Sequence, residues 1–105
     1  MTNMANVSKS IAEEIFLERE RQMKKEGFSR KHDDQYQDGQ LERAAGCYAA
    51  AAGGISTNFI YTVWPWGWNW WKMGTKRRCL VKAGALIIAA IEKLDRDGML
   101  GKDNT

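Results

Sequence analysis

Residues 75–96 read TKRRCLVKAGALIIAAIEKLDR, and the fold class follows from this stretch. Apolar positions recur at Leu80, Val81, Gly84, Ile87, Ile88, Ile91 and Leu94, the three-and-four spacing that collects residues on one side of an α-helix. Thr75 stands where an N-terminal cap belongs, and Gly98 follows the charged last turns formed by Glu92, Lys93, Asp95 and Arg96. The expectation is a central core helix that meets its neighbours through this broad face. Ala83 and Gly84 leave room for a second helix of small residues to come close.

That second helix lies upstream. Leu41, Ala44, Ala45, Tyr48, Ala49 and Ala52 share one helical face, with Asp38 suited to the N-terminus and Gly53-Gly54 to the end. An earlier helix opens at Ser10-Ile11-Ala12-Glu13, a capping box, and is expected to run to about Glu26, with Gly27 and Phe28 as its C-terminal cap. Its apolar stripe is thin (Ile11, Ile15, Phe16 and Met23), and its other faces are charged. Residues 28–39 are polar and read as a loop. Residues 55–63 are β-branched and aromatic, but a lone strand has nothing to pair with. With Pro65, Gly67 and Gly74 following, the whole segment through Lys72 is expected to be an extended connector. The fold class is therefore all-α: a small three-helix domain with a long tryptophan-rich connector between helices 2 and 3. Residues 1–105 make one domain, with residues 1–9 and 99–105 as flexible ends.

Composition agrees with that reading. The 105 residues are 44% hydrophobic and 28% charged with one proline, values of a folded helical chain. A three-helix unit of this length leaves apolar stripes uncovered, so a homo-oligomer is expected. Sixteen basic against 13 acidic residues, a net charge of +3, is too mild an excess to point to extended nucleic acid. The first ten residues lack the apolar core of a signal peptide, and the apolar run from Ala83 to Ile91 is far short of a membrane span. A cytosolic chain with no membrane partner is expected. Cys47 and Cys79 match no metal or redox spacing and read as reduced, packed thiols.

The chemistry concentrates on the connector. All five tryptophans, Trp64, Trp66, Trp68, Trp70 and Trp71, fall between residues 64 and 71. Lys72, Lys76, Arg77, Arg78 and Lys82 follow, with no carboxylate among residues 72–82. Flat aromatic faces beside cations suit a planar anion, and free N–H groups at a helix start suit phosphate. The same residues also fit a structural account. The indoles would cover the helices, and the cations would pair with the acidic first helix, which holds Glu13, Glu14, Glu18 and Glu20. Two weaker constellations stand beside this one. His32-Asp33-Asp34 reads as a metal ligand or base, or as a plain turn, and Glu92 with Asp95 would hold Mg²⁺ if Glu13, Glu14 and Glu18 converged on them.

Glu18-Arg19-Glu20-Arg21-Gln22, Glu26-Gly27-Phe28, His32-Asp33-Asp34, Leu41 to Tyr48, Trp64-Pro65-Trp66, Trp71-Lys72 and Arg77 to Arg96 together resemble a family of short bacteriophage and prophage proteins over about residues 10–97. That resemblance implies a phage origin and the host cytoplasm as setting. The first and last helices are also distantly similar to phage MazG-like proteins, relatives of all-α nucleotide pyrophosphohydrolases, in which paired carboxylates hold Mg²⁺ against phosphates. Here the second helix offers only Glu42, and the third begins with cations. The expected function is a non-catalytic protein that binds a nucleotide-like anion through Trp64, Trp66, Trp68, Trp70, Trp71, Lys72, Lys76, Arg77 and Arg78, needs no cofactor, and sequesters a host defence signal. The alternatives are a divergent Mg²⁺-dependent pyrophosphohydrolase using Glu14, Glu18, Glu92 and Asp95, and a module that binds a host protein through the tryptophan loop.

Overall fold

The computed structural model describes residues 10–25 and 39–98. Within them the chain is all-α and has no strand: α1 (Ile11–Lys25), α2 (Gln40–Ala52), α3 (Thr57–Val63), a 3₁₀ turn (Trp68–Trp70) and α4 (Lys76–Arg96).

Local chemistry sets the ends. The Ser10 backbone N–H donates to Glu13 Oε1 and the Glu13 N–H to Ser10 Oγ, both at 3.0 Å, which closes the expected capping box of α1. Gly39 rather than a side chain caps α2, in the left-handed region at φ 78°, and Asp38 lies outside the described residues. At the other end of α2 the Gly54 N–H donates to Ala51 O (3.1 Å) and the Ile55 N–H to Ala50 O (3.0 Å). This is the paired-bond pattern that a left-handed residue completes at a helix C-terminus, and Gly54 supplies it at φ 79°. Thr75 Oγ1 accepts from the Arg78 N–H at 3.1 Å to start α4, and left-handed Gly98 ends it as expected. The cap expected at Gly27 and Phe28 lies outside the described residues.

The connector differs from its expected form. Residues 57–63 are helical rather than extended, so the domain has four helices among the described residues, not three. Ser56 explains the start, since its Oγ accepts from the Phe59 N–H at 3.4 Å. Packing explains the rest: Ile60 and Trp64, one helical turn apart, both enter the core beside α2. Pro65 explains the stop, because Trp64 is held at ψ 122°, outside the helical region.

Both α1 and α2 pack on α4, and α3 packs on α2. Leu41, Ala44, Ala45, Cys47, Tyr48 and Ala51 of α2 meet Cys79, Ala83, Leu86, Ala89 and Ala90 of α4 in one buried cluster. The face expected to carry α4 into the core is therefore rotated. Of its seven positions only Val81 is buried; Gly84 and Ile88 are half-buried, and Leu80, Ile87, Ile91 and Leu94 are exposed. In α2, Cys47 and Ala51 are buried while Ala49 is exposed. On α1, Ile11 and Phe16 are exposed, Ile15 and Met23 half-buried, and the fully buried positions are polar: Glu18, Arg19 and Gln22. A Cβ added to Gly84 would lie 3.0 Å from Ile15 Cδ1, which shows how tightly α1 crosses α4 there.

The rotated face has a direct test. Leu86 is 1% exposed, and Leu86→Ala is expected to lower stability by about 2–5 kcal/mol. Ile87 is 50% exposed, and Ile87→Ala is expected to lower it by less than about 1 kcal/mol in dilute solution. Urea unfolding of both variants measures the difference, and equal losses would return Ile87 to the core.

Candidate functional site

The tryptophan loop is built on Tyr48. This residue of α2 stacks on Trp71, with ring centroids 4.6 Å apart and planes at 17°, and meets Trp64 edge-on at 5.7 Å. Its hydroxyl oxygen accepts from the Lys72 N–H at 3.0 Å. Lys82 of α4 donates to the Lys72 carbonyl and holds its ammonium 5.5 Å from the Tyr48 ring centroid. The loop therefore leaves α3 and returns to α4 under fixed points of attachment.

Around this anchor the five indoles divide. Trp64 is buried, and its Nε1–H donates to Gly67 O at 3.2 Å. Trp66 and Trp71 are partly buried against the core, each edge-on to Trp64 at 5.4 and 4.8 Å. Trp68 and Trp70, on the 3₁₀ turn, remain 44% and 42% exposed. Trp68 lies edge-on to Tyr61 of α3 at 4.5 Å, so α3 extends the aromatic surface outward. Tyr48 and Tyr61 join the aromatic cluster and are not among the residues expected from the sequence to bind a ligand. Tyr48 had the signature of an ordinary face position, and Tyr61 sat in a segment taken as extended; its place four residues before Pro65 and behind a serine cap was the available signal.

The cations divide too. Arg77 donates through both terminal nitrogens to Glu14, at 2.6 and 2.8 Å, and Arg78 pairs with Glu18. Cations at the start of α4 oppose its dipole, and these α1 carboxylates offset that opposition. The side chains of Lys72 and Lys76 are exposed and meet no carboxylate among the described residues. Of the nine residues expected to bind a ligand, the structure thus leaves the side chains of Trp68, Trp70, Lys72 and Lys76 exposed. It places Trp64, Trp66 and Trp71 in or against the core, and Arg77 and Arg78 in ion pairs.

Between α1 and the loop lies a crevice of about 10 Å³, lined by Glu18, Gln22, Trp66, Trp70 and Lys82 among others. It has the size of one water molecule, and Gln22 Oε1 is buried there without a hydrogen-bond partner among the described residues. A nucleobase does not fit inside.

The carboxylates are committed as well. Glu18 accepts from Arg21 at 2.9 and 2.8 Å, from Gln22 at 3.2 Å, and from Arg78. Glu92 Oε1 accepts from buried Arg19 at 3.1 and 3.0 Å. Among the described residues no group of three or more His, Cys, Asp or Glu side chains is placed to hold a metal ion, and His32, Asp33 and Asp34 lie outside them. Cys47 and Cys79 are free and buried, and burial pushes the Cys47 thiol above its ordinary pKa. No described helix is long and apolar enough to cross a membrane. Comparison of the chain with protein-family models, curated proteins and solved structures found no match.

Burial raises the pKa of Glu18, but its bonds to Arg21, its attraction to Arg78 and its bond to Gln22 outweigh this and hold it below the ordinary carboxylate value of 4.5. The unfolded chain therefore takes up this proton at higher pH than the folded chain does. The stability it provides is complete above about pH 4.5 and is lost as pH falls through the lower folded value. Thermal melts from pH 6 to 3 are expected to show a falling midpoint in the parent. Glu18→Gln is expected to flatten that fall and to cost about 1–3 kcal/mol at neutral pH.

Proposed function

We propose that the chain is a non-catalytic binding protein whose tryptophan loop takes a planar, anionic, nucleotide-like ligand. One observation carries this reading: Trp68 and Trp70 stay 44% and 42% exposed on an anchored loop while the other three indoles pack inward. The exposed side chains of Lys72 and Lys76 follow on the same segment. An indole held in water by a rigid turn is a ready stacking surface, worth about 1–3 kcal/mol per base. Lys72 and Lys76 supply charge for phosphate without first leaving a carboxylate. Arg77 reaches the same ligand only by exchanging Glu14 for it.

The resemblance to short phage proteins supplies a setting for this chemistry, the cytoplasm of an infected host, where holding a nucleotide signal out of circulation would favour the phage. A second reading draws on the contact between Trp68 and exposed Tyr61, which makes an aromatic patch of the kind that anchors protein interfaces. In that case the partner is a host protein rather than a small molecule. The hydrolase reading draws less support, since Glu14, Glu18 and Glu92 each hold an arginine.

Titration with mono- and dinucleotides, cyclic dinucleotides included, followed by tryptophan fluorescence and calorimetry, tests the proposal. The expected result is quenching with measurable heat for at least one nucleotide class. Trp68→Ala and Lys72→Ala are each expected to weaken binding by about tenfold. Absence of both signals across the panel would overturn it. Capture of a host protein that depends on Trp68 and Tyr61 would then favour the second reading, and Mg²⁺-dependent pyrophosphate release would favour the hydrolase.

A further inference from the structure

On the side of α4 away from the tryptophan loop, Leu80, Ile87, Ile91 and Leu94 form an exposed row. Beside the second half of that row, α2 presents the small residues Ala45, Gly46 and Ala49 together with Glu42, and the two helices border a largely apolar groove of about 370 Å³. Bulky residues and a groove of matching character thus lie side by side on one face. We propose that this face is the interface between two copies of the chain, paired antiparallel along α4 about a two-fold axis near Ile87.

Two features single out a second copy as the occupant. The row is symmetric about its centre: Leu80 and Leu94 each lie seven residues from Ile87, so an antiparallel pair sets Leu80 of one copy against Leu94 of the other. The groove runs beside residues 87–94, and the two-fold lays residues 80–87 of the second copy across it. Leu80 and Ile87 of each copy then fill the groove of the other.

Charge obeys the same symmetry. Arg77 and Asp95 are 18 residues apart, five helical turns, and so flank the row on the same side. In an antiparallel two-fold pair like flanks meet, which sets Asp95 of one copy beside Arg77 of the other, twice. The midpoint of Arg77 and Asp95 is residue 86, within one position of the midpoint of the apolar row. Asp95 meets no cation among the described residues of its own chain, and the side chain of Arg77 is 65% exposed while it contacts Glu14. The first turn of α4 itself holds no acid, and there Asp95 would share Arg77 with Glu14 of α1. The apolar row and groove are independent of the tryptophan-loop reading, which shares only Arg77 with this interface.

Sedimentation velocity of the whole chain over a concentration series tests the inference, with circular dichroism confirming that each variant folds. The expected species is a dimer of the 11.9 kDa chain. Ile87→Glu is expected to weaken it at least tenfold, as is Asp95→Arg, which sets two arginines together. Adding Arg77→Glu to Asp95→Arg is expected to restore dimerisation, which a merely structural effect would not do. A chain that stays monomeric at millimolar concentration overturns the inference. So does a dimer unchanged by Ile87→Glu, or a folded monomer found with a foreign helix in the groove.

Discussion

Alanine and cysteine fill the seam between α2 and α4, and side chains that small let two helix axes come close. The isoleucines of α4 lie outside this seam, Ile88 half-buried and Ile87 and Ile91 exposed. Leu86 enters the core at the edge of the seam, while Leu80, Ile87 and Ile91 turn outward. The apolar bulk that the seam lacks is supplied at one end by Tyr48, Ile60 and Trp64, with Trp66 and Trp71 packed against them. The tryptophan cluster is in this sense the complement of an alanine interface. One choice of residue size accounts for both the aromatic plug and the uncovered aliphatic row.

The attachment of α1 follows a different principle. Its buried positions carry Glu18, Arg19 and Gln22, so α1 joins α4 through charge as well as through the meeting of Ile15 with Gly84. Ion pairs removed from water return little net stability, because desolvation consumes most of the attraction. What they fix is register. Glu14 on Arg77, Glu18 on Arg78 and Arg19 on Glu92 align α1 with α4 at several heights. The same contacts neutralise the unfavourable start of α4, which makes the basic segment part of the scaffold as much as a surface for anions.

What could be read in the sequence was local. Ser10 with Glu13, Gly53-Gly54, Thr75 and Gly98 act within a turn of themselves, and each marked a helix end where one stands. The side of α4 that faces inward could not be read in the same way. Leu80, Ile87, Ile91 and Leu94 make one apolar row and Cys79, Ala83, Leu86 and Ala90 another beside it, and periodicity does not choose between neighbouring rows. The size of the residues on α2 chooses, which is a tertiary matter. α3 was missed because β-branched propensity outweighed a single serine cap in the reading, while in the folded chain Ile60 and Trp64 reverse that balance. The location of the aromatic cluster was legible from residues 64–72 alone. Its division into packed and open rings was not, because that division depends on Tyr48, 16 residues before Trp64.

Tyr48 belongs at once to the helical seam and to the loop, and this bears on how the loop moves. A surface loop ordinarily opens at a small fraction of the free energy needed to unfold the whole domain. Here the Lys72 amide is held by the hydroxyl of Tyr48, whose ring is buried in the core and stacked on Trp71. The Lys72 amide is therefore expected to exchange more slowly than an unbonded amide of an exposed connector. The 3₁₀ turn that carries Trp68 and Trp70 is thus followed, two residues on, by an attachment to the helical core.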